Sequence, residues 1–528
     1  MPEHIRAFVY IVVIAGFVFF LARPVALQTG YTANEYRNHL LMWFLVTFLL
    51  FFSHNFWLYS VITGLIMLVA ARKTTSPLAL YGLLLLAAPG FLYRPIPGFG
   101  PIETLISLNH VRLMNLTILL PLAIHLSKAA SHVGPKWSTV DRLVLMLVLY
   151  LCIRQAIDLS LTQTVRSAFT TLIDIWLPYY VFSRTIRSFE SLHKVAFAFC
   201  LGITLIAAVA WFESLRGWLL YESLRVPLSE PRGAFYLMRG DGLLRARASA
   251  GHPIVLGYLS VIALGLLVII SAKTKSLRSR LYGCAAILIG GLVFSFSRGP
   301  WVGSIVLLIA YIALMPGLGK KLKRATVFMA VCTAILLTPV GQRAIDYLPF
   351  VGTVEAENIE YRSRLLETSI IAIRENLFFG DSNFLENPIL ETMRQGQGII
   401  DITNTYLQYA LEYGIIGLGL FLLCFLFSAI SALRSAGGHT KMMEGNGTIR
   451  CLVSILSSIA VIIITVSSIF TVAPMYWIVI ALLTASSRIL SDAYASQRSP
   501  ALKHASPTGI ARPRQPTRSP GEALKSPR

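Results

Sequence analysis

Residues 294–303 read FSFSRGPWVG and set Arg298 against a Gly-Pro step inside a chain whose surrounding residues are almost wholly apolar. An ionised side chain at membrane depth is costly, which marks Arg298 as functional. Pro300 suits the first turn of a helix, and a helix start presents unpaired N–H groups and a partial positive charge. A guanidinium beside such a start makes an anion site. The grammar recurs twice. In LLRARASAGHPIVLG, Arg245 and Arg247 precede a turn at Gly251-His252-Pro253. In GIIDITNTYLQYALEYGIIGLG, Asp401 stands just before a helix start at Thr403-Asn404. Arg362 and Arg364 head an amphipathic stretch between the second and third starts, with Leu365, Leu366, Ile370, Ile373 and Leu377 at helical spacing. Planar guanidinium groups bind phosphate oxygens in pairs better than ammonium does. Helix starts near 253, 300 and 405 could therefore converge on one phosphorylated anion, with Asp401 or His252 as proton acceptor.

Plainer readings stand beside these. An arginine at a membrane boundary often only reaches for headgroups, which is the expected role of Arg216, Arg225, Arg232, Arg343 and Arg394. His252 and Asn404 could simply cap their helices, and Glu367 and Glu375 read as solvated charges. Cys152, Cys200, Cys284, Cys332, Cys424 and Cys451 lie in or beside apolar runs without a pairing or ligand pattern, so they read as packing residues, and no metal site is expected.

The elements that must position these residues are membrane helices. Of 528 residues 55% are hydrophobic and 13% charged, and the mean hydropathy is +0.67. Apolar runs long enough to cross a bilayer recur from Ile5 to Leu490, predicting an all-α polytopic protein with about 12 to 15 membrane segments. Every lysine falls in alternate connections or in the tail, whereas 213–252 and 339–404 hold arginine but no lysine. By the positive-inside rule the lysine connections are cytoplasmic and the other two face outward, the side of the N-terminus staying open. The expected organisation is membrane helices over 1–338, interrupted by the outward loop 213–252, then a large outward loop over 339–404, membrane helices over 405–490 and a disordered basic tail over 491–528. The formal net charge of +21 is spread as topology signals, and the tail lacks aromatics after Tyr494, so nucleic acid is excluded as a partner.

Together these segments resemble the O-antigen ligase and polymerase superfamily of bacterial envelope polysaccharide synthesis, over roughly 40–490. The pieces that carry the resemblance are SRGPWVG at 297–303, RASAGHPIVLG at 247–257, YRSRLLE through NLFFG at 361–380, and NTYLQYALEYGIIG at 404–417. The resemblance implies an inner-membrane glycosyltransferase that needs no metal or other cofactor. Its implied donor is an undecaprenyl diphosphate-linked oligosaccharide on the periplasmic side, in contact with membrane lipid. Family arginines that hold the diphosphate would map to Arg298, and further to Arg247 and Arg362 or Arg364. In the ligase branch a histidine precedes the Asn, nine-residue, Gly-x-x-Gly pattern. Asn404, Gly414 and Gly417 fit it, but Thr403 stands where the histidine belongs, and threonine cannot take up a proton at neutral pH.

The expected function is therefore a polysaccharide polymerase, moving a chain from its lipid diphosphate to another lipid-linked repeat unit. Arg298, Arg247, Arg245, Arg362 and Arg364 would stabilise the leaving diphosphate, Asp401 or His252 would deprotonate the acceptor, and Asn404 would orient a sugar hydroxyl or cap its helix. A chain-length regulator is the candidate protein partner. The alternatives are a ligase delivering glycan to lipid A core or protein, and a transporter; the internal repeat common in transporters is not visible here.

Overall fold

The computed structural model describes the chain except for residues 99–102, 134–136, 229–243, 318, 320–322, 324–325, 328–355, 396–397, 438–442 and 504–528. In chain order the helices are α1 (Glu3–Gln28), α2 (Ala33–Phe52), α3 (Phe56–Lys73) and α4 (Pro77–Leu84), then a hairpin of β1 (Tyr93–Pro97) and β2 (Thr104–Asn109). Next come α5 (His110–Lys128), α6 (Thr139–Asp158), and α7 (Leu161–Thr171), which runs through a π turn at Leu172–Trp176 into α8 (Leu177–Thr185). The second half holds α9 (Phe189–Arg216), α10 (Pro253–Ser271), α11 (Arg278–Phe294), α12 (Arg298–Ala313), α13 (Ala356–Glu375), α14 (Pro388–Glu391), α15 (Thr405–Gly437), α16 (Met443–Ile462) and α17 (Val472–Lys503).

Helix starts follow local side-chain chemistry. Ser138 and Asp141 form a reciprocal capping box at α6, Asn55 accepts from the first N–H groups of α3, and the α9 end is closed by Gly217 in the left-handed region. Burial separates centre from periphery. The apolar windows of α9, α10 and α17 are 83%, 78% and 83% buried, against 28% for α1. On α1 the exposed residues Val9, Val13, Phe17 and Phe20 form one apolar face. Such a face is stable only against lipid, since water would penalise it. The chain is an integral membrane protein.

Among the described residues, contacts of lysine-bearing and lysine-free segments fall at opposite ends of the bundle, with Asp141 near the first turn of α6 and Arg154 near its last. Near one end, Lys194 pairs with Glu35 at 3.1 Å. There too a fully buried Asp141 holds Arg184 at 3.3 Å and Arg488 as well, tying α6, α8 and α17 together. At the other end the lysine-free segments touch one another directly. Arg94 of β1 donates to Leu228 O at 2.9 Å, Ser382 N–H donates to Asp158 at 3.1 Å, and Arg154 donates to Phe379 O and Gly380 O at 2.7 Å each.

The expected all-α polytopic fold is borne out. Among the described residues eight helices are long and apolar enough to span, with α12 as a shorter apolar helix; α4 lasts only eight residues, and α6 runs between the two ends while carrying Asp141, Arg142, Arg154 and Asp158. The expected span at 325–338 lies almost wholly outside the described residues, as do 339–355 of the large loop. The tail also begins later than expected, because α17 continues past Ser491 to Lys503. The described part of the large loop builds a small core of its own, in which Leu365 and Ala372 of α13 pack with Leu390, Met393, Ile402 and Leu407.

Candidate functional site

The first anion-binding elements meet at the starts of α10 and α12. Pro300 packs on Gly257, where an added Cβ would lie 2.8 Å from the proline ring, so no side chain separates the two helix starts. The segment before α10 is pinned to the end of α11 by Ala246 N–H donating to Phe294 O at 3.0 Å. The Arg245 guanidinium then donates to Ser297 Oγ at 3.3 Å, next to the half-buried Arg298, which opens α12. Arg245, Arg298 and two helix N-termini thus form one cluster, and their positive fields add.

His252 sits at the same place as the N-cap of α10, its Nδ1 accepting from Ile254 N–H at 3.2 Å. Burial, and then the charges of Arg245 and Arg247, push its pKa down to about 3. The ring is neutral at physiological pH, and with Nδ1 occupied as acceptor its proton is on Nε2. Its Nδ1 is thereby spent on the helix start.

Arg247 is withdrawn from the cluster. It is 3% exposed, pairs with Glu222, donates to Gly251 O at 3.4 Å and lies 5.1 Å from the centre of the Phe91 ring. Arg225 covers the same ring at 4.2 Å and pairs with Glu222 at 2.6 Å. The backbone here is organised by Glu213, a fully buried carboxylate at the end of α9. It accepts from Leu220 N–H at 3.0 Å, Arg247 N–H at 3.2 Å and Ala248 N–H at 2.8 Å. Arg247 thus shapes the turn that presents Arg245 and His252.

The second half of the site is the start of α15. Asn404 caps it, accepting from Tyr406 N–H at 2.9 Å and Leu407 N–H at 3.2 Å. The side-chain oxygen is thereby spent on the helix. Asp401, three residues earlier, is exposed and exchanges backbone hydrogen bonds with the Tyr361 hydroxyl of α13 at 3.2 and 3.3 Å. The surrounding protein raises its carboxyl pKa above the ordinary value, while the charge of Arg362 pulls it down. Asp401 and Arg362 are thus neighbours, whereas Arg364 is exposed and 3.9 Å from Glu360.

A turn between α16 and α17 joins the two halves. An added Cβ at Gly299 would strike Thr465, and the next residue, Val466, accepts from the Thr405 hydroxyl at 2.7 Å. Thr405 N–H also donates to Ile463 O at 2.9 Å. The Arg298 helix start and the Asn404 helix start are neighbours across this one turn.

The Gly-x-x-Gly of α15 has a structural task. At Gly414 the helix breaks, with φ 63° and ψ −170°. The chain just after α13 fills the gap: Ile415 N–H donates to Leu377 O at 2.9 Å, and Asp381 N–H donates to Leu411 O at 2.8 Å. Gly380 and Gly414 cross back to back, with no room for a Cβ on either.

Residues 283–422 match the family model described as O-antigen ligase. The chain is similar to that family over this stretch. No curated protein matches the chain. The matched stretch takes in Arg298, Arg362, Arg364, Asp401, Asn404 and the Gly414 crossing; Arg245, Arg247, His252 and the α16–α17 turn lie outside it. Members of this family are glycosyltransferase-like enzymes, ligases and polymerases.

Two parts of the arrangement escape the sequence reading. Glu213 has a usable signal, an acid directly after the apolar run that ends Trp211-Phe212. The turn at 463–471 has none, since IITVSSIFT resembles any polar break between spans.

Proposed function

We propose that this protein is a polysaccharide polymerase of the inner membrane, acting at the periplasmic face on glycan carried by undecaprenyl diphosphate. The observation that carries the reading is the Arg245–Ser297–Arg298 cluster at the packed starts of α10 and α12. It supports binding of a diphosphate leaving group without a metal ion, because the positive ends and the two guanidinium groups supply the charge. In the step itself, the acceptor hydroxyl loses its proton to Asp401 and its oxygen attacks the anomeric carbon of the donor sugar. The bond from that carbon to the diphosphate oxygen breaks, and the diphosphate departs with the electron pair. Arg298 and Arg245 stabilise the charge that develops there, with His252 Nε2–H as a further donor. Arg362 keeps Asp401 ionised, and Arg247 holds the turn.

The match to the O-antigen ligases favours a second reading, delivery of the glycan to lipid A core. Thr403 weighs against it, because the ligase histidine has no counterpart at that position. The deciding experiment incubates the purified protein in lipid nanodiscs with undecaprenyl diphosphate repeat units, with and without lipid A core. Lipid-linked dimers and longer chains formed without lipid A core support the polymerase. Product that appears only on lipid A core replaces it with the ligase.

A further inference from the structure

On the far side of the α16–α17 turn lies a cavity of about 250 Å³, walled by the hairpin, the start of α5, the π turn after α7 and the start of α17. Its floor is a forked ion pair. Arg112 donates to Asp174 through Nε at 3.0 Å and through Nη2 at 2.8 Å, and Nη1 is fixed on Ser107 O at 2.6 Å. The pair remains open to the cavity, the side chains being 17% and 21% exposed. The π turn that carries Asp174 is itself a local departure from α geometry, of the kind that gathers at functional sites. Ser107, Asn109 and Ser468 add hydroxyl and amide groups to the lining, and the Tyr93 and Phe470 rings supply flat apolar surface.

Phe470 ties this cavity to the arginine cluster. It holds a left-handed backbone at φ 47°, a conformation that costs a bulky residue about 1–3 kcal/mol and persists only where the surroundings enforce it. Its ring is pressed against Gly90 on the cavity side, where a Cβ would lie 2.8 Å away, and lies 3.6 Å from the Cβ position of Gly251, beside His252. One ring therefore packs between the cavity and the turn that carries His252.

We propose that this cavity is a sugar-binding subsite, taking one ring of the glycan with Asp174 accepting from its hydroxyls and Tyr93 and Phe470 against its apolar face. The inference rests on the glycosyl-transfer reading for the identity of the glycan. The chemistry fits a neutral polyol: a carboxylate already paired with arginine keeps lone pairs for hydroxyl donors, and hydroxyl, amide and aromatic groups alternate around it. The size fits one ring rather than a chain, since pockets for larger ligands begin near roughly 300 Å³. The ring could belong to donor or acceptor.

The test measures saturation transfer by NMR from the nanodisc-embedded protein to the repeat-unit oligosaccharide, released by mild acid from the cell's own lipid-linked pool. Ala473→Leu and Ser107→Leu fill the cavity from two walls and should each weaken binding about tenfold or more, whereas Gly419→Ala, which meets open space, should leave it unchanged. If either filled variant melts early, Tyr93→Leu replaces it, because Tyr93 is 53% exposed and carries little of the packing. Wild-type-like binding by a stably folded filled variant overturns the proposal, as does absence of binding in the wild type. Oligosaccharide binding without any chain transfer overturns the glycosyl-transfer reading and leaves the sugar cavity standing. A lipid-linked unit blocked at its terminal sugar can only donate, so a raised KM for that unit puts the donor ring in the cavity, and a raised KM for the unblocked partner puts the acceptor ring there.

Discussion

Arg298 and Arg247 look alike in the sequence, and the fold gives them different surroundings. Arg298 opens α12 beside Arg245, so Arg298→Lys should keep the charge, lose paired hydrogen bonding and cut transfer by about 10²-fold or more at unchanged melting temperature. Arg247→Lys should do the reverse, lowering the melting temperature in detergent through the lost Glu222 pair while turnover per folded molecule changes little. Normal polymer yield from a folded Arg298→Lys protein removes that residue from the site. Arg298 is legible from sequence because its Gly-Pro neighbours declare a helix start. The withdrawal of Arg247 is not, since its partner Glu222 is brought to it only by the fold of the intervening loop.

Asp401 adds a pH dependence. A base must be ionised, and the folded protein raises the carboxyl above its ordinary range. The acid limb of kcat/KM should therefore lie above the usual carboxylate region, with activity rising as pH rises through it. Asp401→Asn should lose this limb and about 10² or more in rate. His252, held neutral down to about pH 3, should contribute no limb near its ordinary value, and His252→Gln should leave the profile's shape intact. An unchanged acid limb in Asp401→Asn rules out Asp401 as the base.

Among the elements, α15 is the one whose regularity misleads. Its apolar run predicts a single span, yet Gly414 divides it and the chain after α13 supplies acceptors to the freed N–H groups. Two glycines three apart read in sequence as a motif of the reaction, whereas Gly414 is required by a steric crossing. Gly414→Ala should cost about 1–3 kcal/mol from the backbone angle alone, with the clash at Phe378 added. Gly419→Ala in the same helix meets open space and should be neutral or slightly stabilising. The ratio of folded protein recovered in mild detergent by size exclusion measures the difference, and equal recovery would remove the crossing as a requirement. The hydrophobic runs make membrane helices legible, but not their number. Length and hydropathy cannot distinguish a full span from a short buried helix such as α4, whose neighbours shield it from both water and lipid.

For the whole molecule, the lysine-free connections contact one another, so one measurement orients them together. In a background without native cysteines, a cysteine at the exposed Asn383 should react with an impermeant thiol reagent in cells with a permeabilised outer membrane, and one at the exposed Lys273 should not. The opposite pattern inverts the molecule and puts the arginine cluster on the cytoplasmic side. The crossing of Gly380 with Gly414 also decides how specificity could be moved between relatives. Because residues 377–381 hydrogen-bond into residues 411–416, a transplanted loop that stops at the start of α15 brings half of a fitted joint. Such a hybrid should misassemble. A cassette extended through Gly417 carries both halves, and that longer piece is the smallest interchangeable part of this end of the protein.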